Sequence, residues 1–396
     1  MNKNVADSST QVIAARWIIP VISEPIQGGW VRLQGNRVVE IAAGKPPECA
    51  TDLGDVAILP GLVNAHTHLE FSDCAQPIGQ PGVPLAQWIG QVIAARSATT
   101  TQARQQAIQA GLAESVAAGV CLMGDIATPP IRYDGDTIDL VSFAEVVGLG
   151  ESRWRERLQS ATDYNKSFEK AAWSPHAPYS TSTAAIDACV QRAKTSGRPL
   201  SMHVAESPAE RELLCSGTGP FATALRSIGV WQDDLFPWPG DPLVDLIDQL
   251  AESPHALLIH GNDLRSKEIS AIAQHANLTV VYCPRTHAFF GYDRHPVADM
   301  IRAGIPVALG TDSRASNPDL NLWSEVQFLL QHRMDIDPGA VIGMATVAGA
   351  NALGRRDVGR LVVGGSASLG VVTTEAADRQ ALYRDLAQHA YRPFAS

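Results

Sequence analysis

The chain has 396 residues, 45% of them apolar, and a formal charge of −10. That length suits one large α/β barrel with room for a small satellite domain, and an acidic balance without any Lys/Arg run excludes the phosphate-neutralising face of a nucleic-acid binder. Six cysteines at irregular spacings, with no Cys-x-x-Cys pair, exclude a zinc ribbon and a disulfide framework; a polar stretch over residues 1–10 and the lack of any membrane-length apolar run lead us to expect a cytoplasmic protein with reduced thiols.

In chain order, residues 11–59 hold short β-rich pieces separated by Gly turns (Val12-Ile13-Ala14, Gly29 to Leu33, Val38 to Ile41). From Ile58 onward, Val/Ile/Leu runs alternate with segments of helical periodicity, the pattern of successive βα units around a parallel sheet. Eight strands are expected: Ile58 to His68, Gly119 to Asp125, Phe143 to Leu149, Ala171 to His176, Leu200 to Ala205, Ala256 to His260, Leu278 to Cys283 and Pro306 to Thr311. Between them, Gln102 to Ala118, Ser182 to Lys194, Arg265 to His275 and Asn321 to His332 carry apolar residues at three- and four-residue intervals and are expected as helices. Leu213 to Val244, with Trp231, Phe236 and Trp238, is expected as a long loop, either a lid or a packed excursion. The β texture resumes from Gly359 through Val372. Eight alternating units predict a (β/α)₈ TIM barrel over 59–354, with 1–58 and 355–396 combining into a small β-sandwich and a C-terminal tail.

Polar residues gather where the expected strands end: His66 and His68, Asp125, His176, His203, His260 and Asp312. A parallel barrel builds its catalytic face there. His66 and His68, at i and i+2 of an extended chain, project from one face toward one ion. With His203 and Asp312 they form a three-nitrogen, one-oxygen set suited to Zn²⁺ or Fe²⁺. No lysine ends the fourth strand, so a single metal is expected rather than a pair bridged by a carbamylated lysine. A bound divalent ion lowers the pKa of water toward neutrality. Asp312 is placed to take the water proton, Glu206 to protonate a ring nitrogen of the substrate, and His260 to stabilise the charge that develops.

The stretches Pro60-Gly61-Leu62-Val63-Asn64-Ala65-His66-Thr67-His68, His203-Val204-Ala205-Glu206, Ile259-His260-Gly261 and Leu309-Gly310-Thr311-Asp312-Ser313 occur in the order seen in the amidohydrolase superfamily. The chain resembles its branch of cytosine, guanine and S-adenosylhomocysteine deaminases, which also holds triazine hydrolases. The resemblance covers nearly the whole chain and implies His66, His68, His203 and Asp312 as ligands of one Zn or Fe, with Glu206 and His260 moving protons. Ser174 to Ser180 resembles a motif of adenosine-derivative deaminases whose histidine, here His176, contacts substrate. Leu85-Ala86-Gln87-Trp88-Ile89 resembles their aromatic wall, which gives Trp88 a substrate-binding role.

Two departures narrow the substrate. Leu69-Glu70-Phe71-Ser72 and Tyr282-Cys283-Pro284-Arg285-Thr286-His287-Ala288-Phe289-Phe290 are similar to deaminases of 6-aminodeoxyfutalosine, a benzoate-bearing adenine nucleoside of an alternative menaquinone pathway. Glu70 and Arg285 are then expected at the substrate, Arg285 pairing bidentately with the aryl carboxylate. The arginines that would grip a homocysteine tail have no counterpart around Phe143 to Arg153. Deamination of S-adenosylhomocysteine or methylthioadenosine, and guanine- or triazine-type hydrolysis, are the alternatives. A non-catalytic barrel is disfavoured because Glu206, His260 and Asp312 are all present. A homodimer is expected by resemblance.

Overall fold

The computed structural model describes residues 10–133, 138–232, 235–236 and 240–394. Eight parallel strands run in chain order around a ring: Leu62–Thr67, Val120–Ala127, Asp139–Val146, Ala171–Pro175, Leu200–Val204, Ala256–His260, Leu278–Tyr282 and Val307–Leu309. Each overlaps an expected strand. A parallel bridge between Thr67 and Asp312 closes the seam between last and first, with the Asp312 N–H donating to the His66 carbonyl at 3.1 Å. The barrel is the expected (β/α)₈ fold.

The strands are apolar on both faces because neither face meets water. Val63, Ala65, Leu122, Phe143, Leu257 and Ile259 fill the interior, joined by Ala350 and Leu353 from the segment after the last strand. Their sequence neighbours Leu62, Leu200, Ala256 and Leu258 face the surrounding helices. The helix Thr183–Ser196 shows how the outer ring is specified. Ser182 caps it by accepting the Ala185 N–H at 3.3 Å, and it buries Ala185, Ile186, Cys189, Val190 and Ala193 at spacings of one, three and four before Gly197, at φ 67°, stops it. Each buried Ile or Val contributes about 1.5–3 kcal/mol, so an Ile186→Asp change would detach this helix from the sheet.

The two chain ends, expected to combine into a small β-sandwich, contribute strands to one seven-stranded mixed sheet. Its main path runs Tyr391–Pro393, Leu369–Thr373, Val56–Pro60, Thr10–Ile18, Ile26–Gln34 and Arg37–Ala43, with Thr51–Asp52 paired to Thr10–Ile18. Ile13, Ile18, Val31, Ile58 and Leu369 pack into one buried cluster, and Val12, Ala14 and Trp30 into a second. The segment Gly359 to Gly364 is irregular rather than β; it is tied by the Gly364 N–H to the Val38 carbonyl at 2.8 Å.

Two expectations are corrected here. The single strand expected over Ile58 to His68 is two strands that change sheets at Gly61. The Gly61 N–H donates to Ser368 in the mixed sheet, and the next amide, Leu62, donates to Gly119 in the barrel. A Cβ on Gly61 would stand 2.6 Å from Cys121 Sγ, so the crossing requires glycine. The long loop expected over Leu213 to Val244 is helical in its first half, where Pro208–Ser216 ends and Gly219–Ser227 follows, and Pro242–Ala251 begins at its end. Arg226 lies over the Trp231 ring at 4.0 Å, and Trp238 lies outside the described residues.

Candidate active site

Strand ends deliver the chemical groups, and the backbone turns sharply to do so. Four non-glycine residues among those described have positive φ, and three of them stand at the mouth of the barrel: Ala205 (51°), His260 (71°) and Asp312 (57°). Left-handed backbone costs a side-chain-bearing residue of the order of 1 kcal/mol or more. Three such positions around one opening mark a site where geometry has been held against local preference.

His66 Nε2 lies 3.6 Å from Asp312 Oδ1, and His68 Nε2 lies 3.7 Å from the same oxygen. His68 Nε2 and His203 Nε2 are 3.3 Å apart. Ligand atoms about 2.0–2.1 Å from one tetrahedral ion are separated by roughly 3.3 Å, so this spacing fits a shared divalent cation. Neither ring nitrogen of His66 has a hydrogen-bond partner although the side chain is 1% exposed. Buried polar atoms are rarely left so, and an ion would satisfy Nε2.

The orientation of the set is fixed from behind. His203 Nδ1 donates to the His176 carbonyl at 2.8 Å, which leaves Nε2 as the free lone pair facing His68. Ser316 Oγ donates to Asp312 Oδ2 at 2.8 Å, leaving Oδ1 for the histidines. Burial, then the mutual repulsion of the rings, holds His66 well below its ordinary pKa; burial followed by His176 lowers His203 to about 4. Neutral imidazole is the form that binds a metal.

Glu206 lies beside this cluster, its Oε1 3.4 Å from His260 Nε2. The buried Tyr179 hydroxyl donates to Oε2 at 2.8 Å. Burial, then Glu210, pushes the Glu206 carboxyl well above the usual range, against the pull of Tyr179. Burial raises both carboxyls, Glu210 to about 8, and the two amides that bond Glu210 favour its charged form over that of Glu206. His260 is lowered by burial first, and its carbonyl accepts His295 Nε2–H at 2.8 Å.

The remaining expected residues divide. His176 stands against the cluster, its ring centroid 4.9 Å from that of His203 and its Nδ1 2.6 Å from Ser180 Oγ. Trp88 packs edge-on against Phe290 at 5.2 Å in an apolar wall with Ala177, Tyr179 and Phe221, its indole N–H without a hydrogen-bond partner. Asp125 braces the histidine loop: it accepts the Leu69 N–H at 2.8 Å, the Thr67 hydroxyl at 3.0 Å and the Tyr133 hydroxyl at 2.6 Å. Glu70 belongs to a buried charge cluster, 3.2 Å from Arg96 and 3.4 Å from Arg104, that adjoins His176 through Glu145.

Arg285 is a correction. Its Nε donates to Glu325 at 2.6 Å, its Nη2 donates to Asp319 Oδ1 at 2.6 Å and its Nη1 to Asp319 Oδ2 at 3.1 Å. The guanidinium is thus bidentate on a carboxylate of the protein itself, the geometry expected for a substrate carboxylate. Glu325 in turn accepts from Asn317, which donates also to the Thr311 carbonyl. Arg285 therefore supports the loop that carries Asp312 and has no bidentate face left for a ligand.

Sequence reasoning gave no role to Tyr179, Glu210 or Ser316. Tyr179 sits in the same motif as His176, and its signal was proximity alone. Glu210 stands three residues after Ser207 ahead of a helix, which reads as a capping box. Ser316 carried no signal.

Comparison with known proteins agrees with this geometry. A 5-methylthioadenosine/S-adenosylhomocysteine deaminase of Nitratidesulfovibrio vulgaris is 26% identical over 373 residues, covering 86% of this chain and 76% of that protein. An aminodeoxyfutalosine deaminase of Deinococcus radiodurans is 28% identical over 353 residues, covering 83% of this chain and 82% of that protein. In three dimensions the chain is similar to the Helicobacter pylori aminofutalosine deaminase crystallised with methylthio-coformycin, with a TM-score of 0.83 at 23% identity over 96% of this chain and 97% of that one. Residues 57–390, which contain the whole barrel and every group at its mouth, match the amidohydrolase family, and the chain belongs to that family.

Proposed function

We propose that the protein is a single-metal hydrolytic deaminase of an adenine nucleoside derivative, with 6-aminodeoxyfutalosine as the substrate. The observation that carries the chemistry is the convergence of His66, His68 and Asp312 at 3.6–3.7 Å, with His203 3.3 Å from His68, beside a buried carboxyl, Glu206, whose pKa burial raises. His66, His68, His203 and Asp312 would hold Zn²⁺ or Fe²⁺. Such an ion lowers the pKa of water and polarises the reacting carbon.

The protein groups perform the rest. Glu206 donates its proton to the ring nitrogen adjoining the carbon that takes up water, Asp312 accepts the proton that water gives up, and His260 stabilises charge at the adding oxygen. The carbon–nitrogen bond to the exocyclic amine then breaks, the amine leaving as ammonia with the proton held by Asp312, and the remaining proton of the added hydroxyl passes to Glu206 as the 6-oxo group forms, which restores both carboxyls. Water and aminopurine are consumed, and the 6-oxo product and ammonia are formed. Trp88 and His176 supply an aromatic wall and a polar edge for the base, and Glu70 borders the same side through its charge cluster.

The substrate assignment rests on the aminodeoxyfutalosine deaminase relative and on the Leu69 to Ser72 stretch. The second reading, deamination of methylthioadenosine or S-adenosylhomocysteine, is favoured by the Nitratidesulfovibrio relative and by the engagement of Arg285 within the protein. Ammonia release from adenosine, S-adenosylhomocysteine, methylthioadenosine, 6-aminodeoxyfutalosine and guanine decides between them. The highest kcat/KM is expected on 6-aminodeoxyfutalosine, and release from guanine alone would refute both readings. We also place the enzyme in the cytoplasm as a homodimer: all six cysteines are free thiols, and light scattering tests the dimer.

A further inference from the structure

The turn that presents Glu206 is held on both sides. Its carbonyls are fixed by the following loop, the Asp263 N–H donating to Ala205 O at 2.8 Å and Asn262 Nδ2 to Glu206 O at 2.9 Å. Its amides are fixed by one side chain. Glu210 Oε1 accepts the Ala205 N–H at 2.7 Å, and Oε2 accepts the Glu206 N–H at 2.9 Å. Glu210 is fully buried. In a capping box the third helical residue bonds back to the amide of the capping residue, here Ser207. Ser207 does accept the Glu210 N–H at 3.3 Å, but the Glu210 carboxylate reaches past it to the two residues before.

Ala205 adopts φ 51°, a conformation that a residue with a Cβ avoids unless its surroundings impose it. A carboxylate that accepts two successive amides imposes it directly. The same turn sets the Glu206 side chain between its two contacts, Tyr179 at 2.8 Å and His260 at 3.4 Å. Resting on the proposed function, we infer that Glu210 is a positioning residue, whose bidentate grip on the Ala205 and Glu206 amides holds the proton donor in register with the reacting ring. Glu210 touches neither substrate nor metal ligands and acts through Glu206 alone.

The test uses the full-length, metal-loaded protein with Glu210→Gln and Glu210→Ala. Replacing one acceptor oxygen by an NH₂ group faces a donor with a donor and releases the turn while preserving size. Misplacement of this order lowers kcat by about 10- to 100-fold; KM should stay within about twofold, with unchanged metal content and a cooperative unfolding transition, lowered as the loss of one buried hydrogen bond requires, for Glu210→Gln. In a Glu206→Gln background, adding Glu210→Gln should slow turnover no further. A KM rise at constant kcat, or losses that multiply in the double variant, would overturn the assignment.

A second measurement needs no turnover. Hydrogen exchange resolved at the Ala205 and Glu206 amides should be slow in the parent protein and fast in Glu210→Ala. Unprotected amides in the parent refute the grip even where a variant fails to fold. If the parent releases no ammonia from any nucleoside, the functional reading fails, and the exchange result still decides whether Glu210 holds the turn.

Discussion

Two charged clusters crown this barrel, and they are built on opposite plans. Around Arg285 the charges are bonded to one another: the guanidinium meets both Glu325 and Asp319, and Glu325 also accepts from Asn317, whose Oδ1 is the one buried atom of this group without a partner. Around His66 the groups face one another without such closure, with two ring nitrogens unpartnered and imidazoles 3.3–3.7 Å from neighbours to which they do not donate in the ordinary way. The histidine set and Glu325 have lost water, while Asp319 keeps part of its exposure at the rim. A network that satisfies itself holds loops in place, and one that leaves lone pairs converging is complete only when something else binds.

If that contrast is sound, removing what binds should produce the largest effect. Stripping the metal with a chelator is expected to lower turnover by at least about 10³-fold, with recovery on adding Zn²⁺ or Fe²⁺; full activity in protein shown to be metal-free would erase the distinction. Glu206→Gln should keep the metal and lower kcat by about 10²- to 10⁴-fold.

The pH profile sharpens the same point. In the proposed reaction Glu206 is the acid, and burial and Glu210 raise its folded pKa. Activity should therefore persist below that value and fall as pH rises through it, and the limb should vanish in Glu206→Gln. The linked stability has the same sign: the contribution of this carboxyl is full below its unfolded value of about 4.3 and is lost as pH climbs through the raised folded one. A profile whose alkaline limb is unchanged in Glu206→Gln would assign the proton to another group.

On the self-satisfied side the expected damage is to the fold. Arg285→Ala leaves Glu325 buried without its cation and should cost about 3–5 kcal/mol of stability, read by denaturant unfolding. The residual activity should drop equally on adenosine and on carboxylate-bearing nucleosides; a selective loss on the latter would return Arg285 to the substrate. The smallest effect is expected for Tyr179→Phe. One buried hydrogen bond contributes about 0.5–1.5 kcal/mol, so kcat should fall by about threefold to tenfold, and a loss as deep as that of Glu206→Gln would make Tyr179 a proton donor in its own right.

The same contrast explains what the sequence could and could not disclose. Barrel strands were readable because apolar runs such as Ala256–His260 are buried throughout and end on a polar residue. The helix over Thr183–Ser196 was readable from its Ser182 cap and its spacing of buried residues. His66 and His68 were readable because their relationship is local, two residues along one strand. Arg285 was misread because Asp319 and Glu325 lie 34 and 40 residues further along the chain, and a lone arginine at a strand end does not announce which carboxylate will meet it. Glu210 was hidden by a local pattern that explains it too easily. The helices inside the Leu213 to Val244 segment were obscured by Gly217, Gly219 and Pro220, which read as loop residues but cap the end of Pro208–Ser216 and open the first turn of Gly219–Ser227.

The seam of the barrel joins the strand that carries His66 and His68 to the turn that carries Asp312, through the Thr67–Asp312 bridge and the Asp312 amide on His66. The proposed ligands His66, His68 and Asp312 thus become neighbours only when the ring shuts, across a seam whose bonded residues Asn64 and Thr311 stand 247 positions apart in the chain. Ion affinity and circular closure are consequently one equilibrium seen from two ends. Titrating zinc into partly denatured protein should report how much of the population has come full circle.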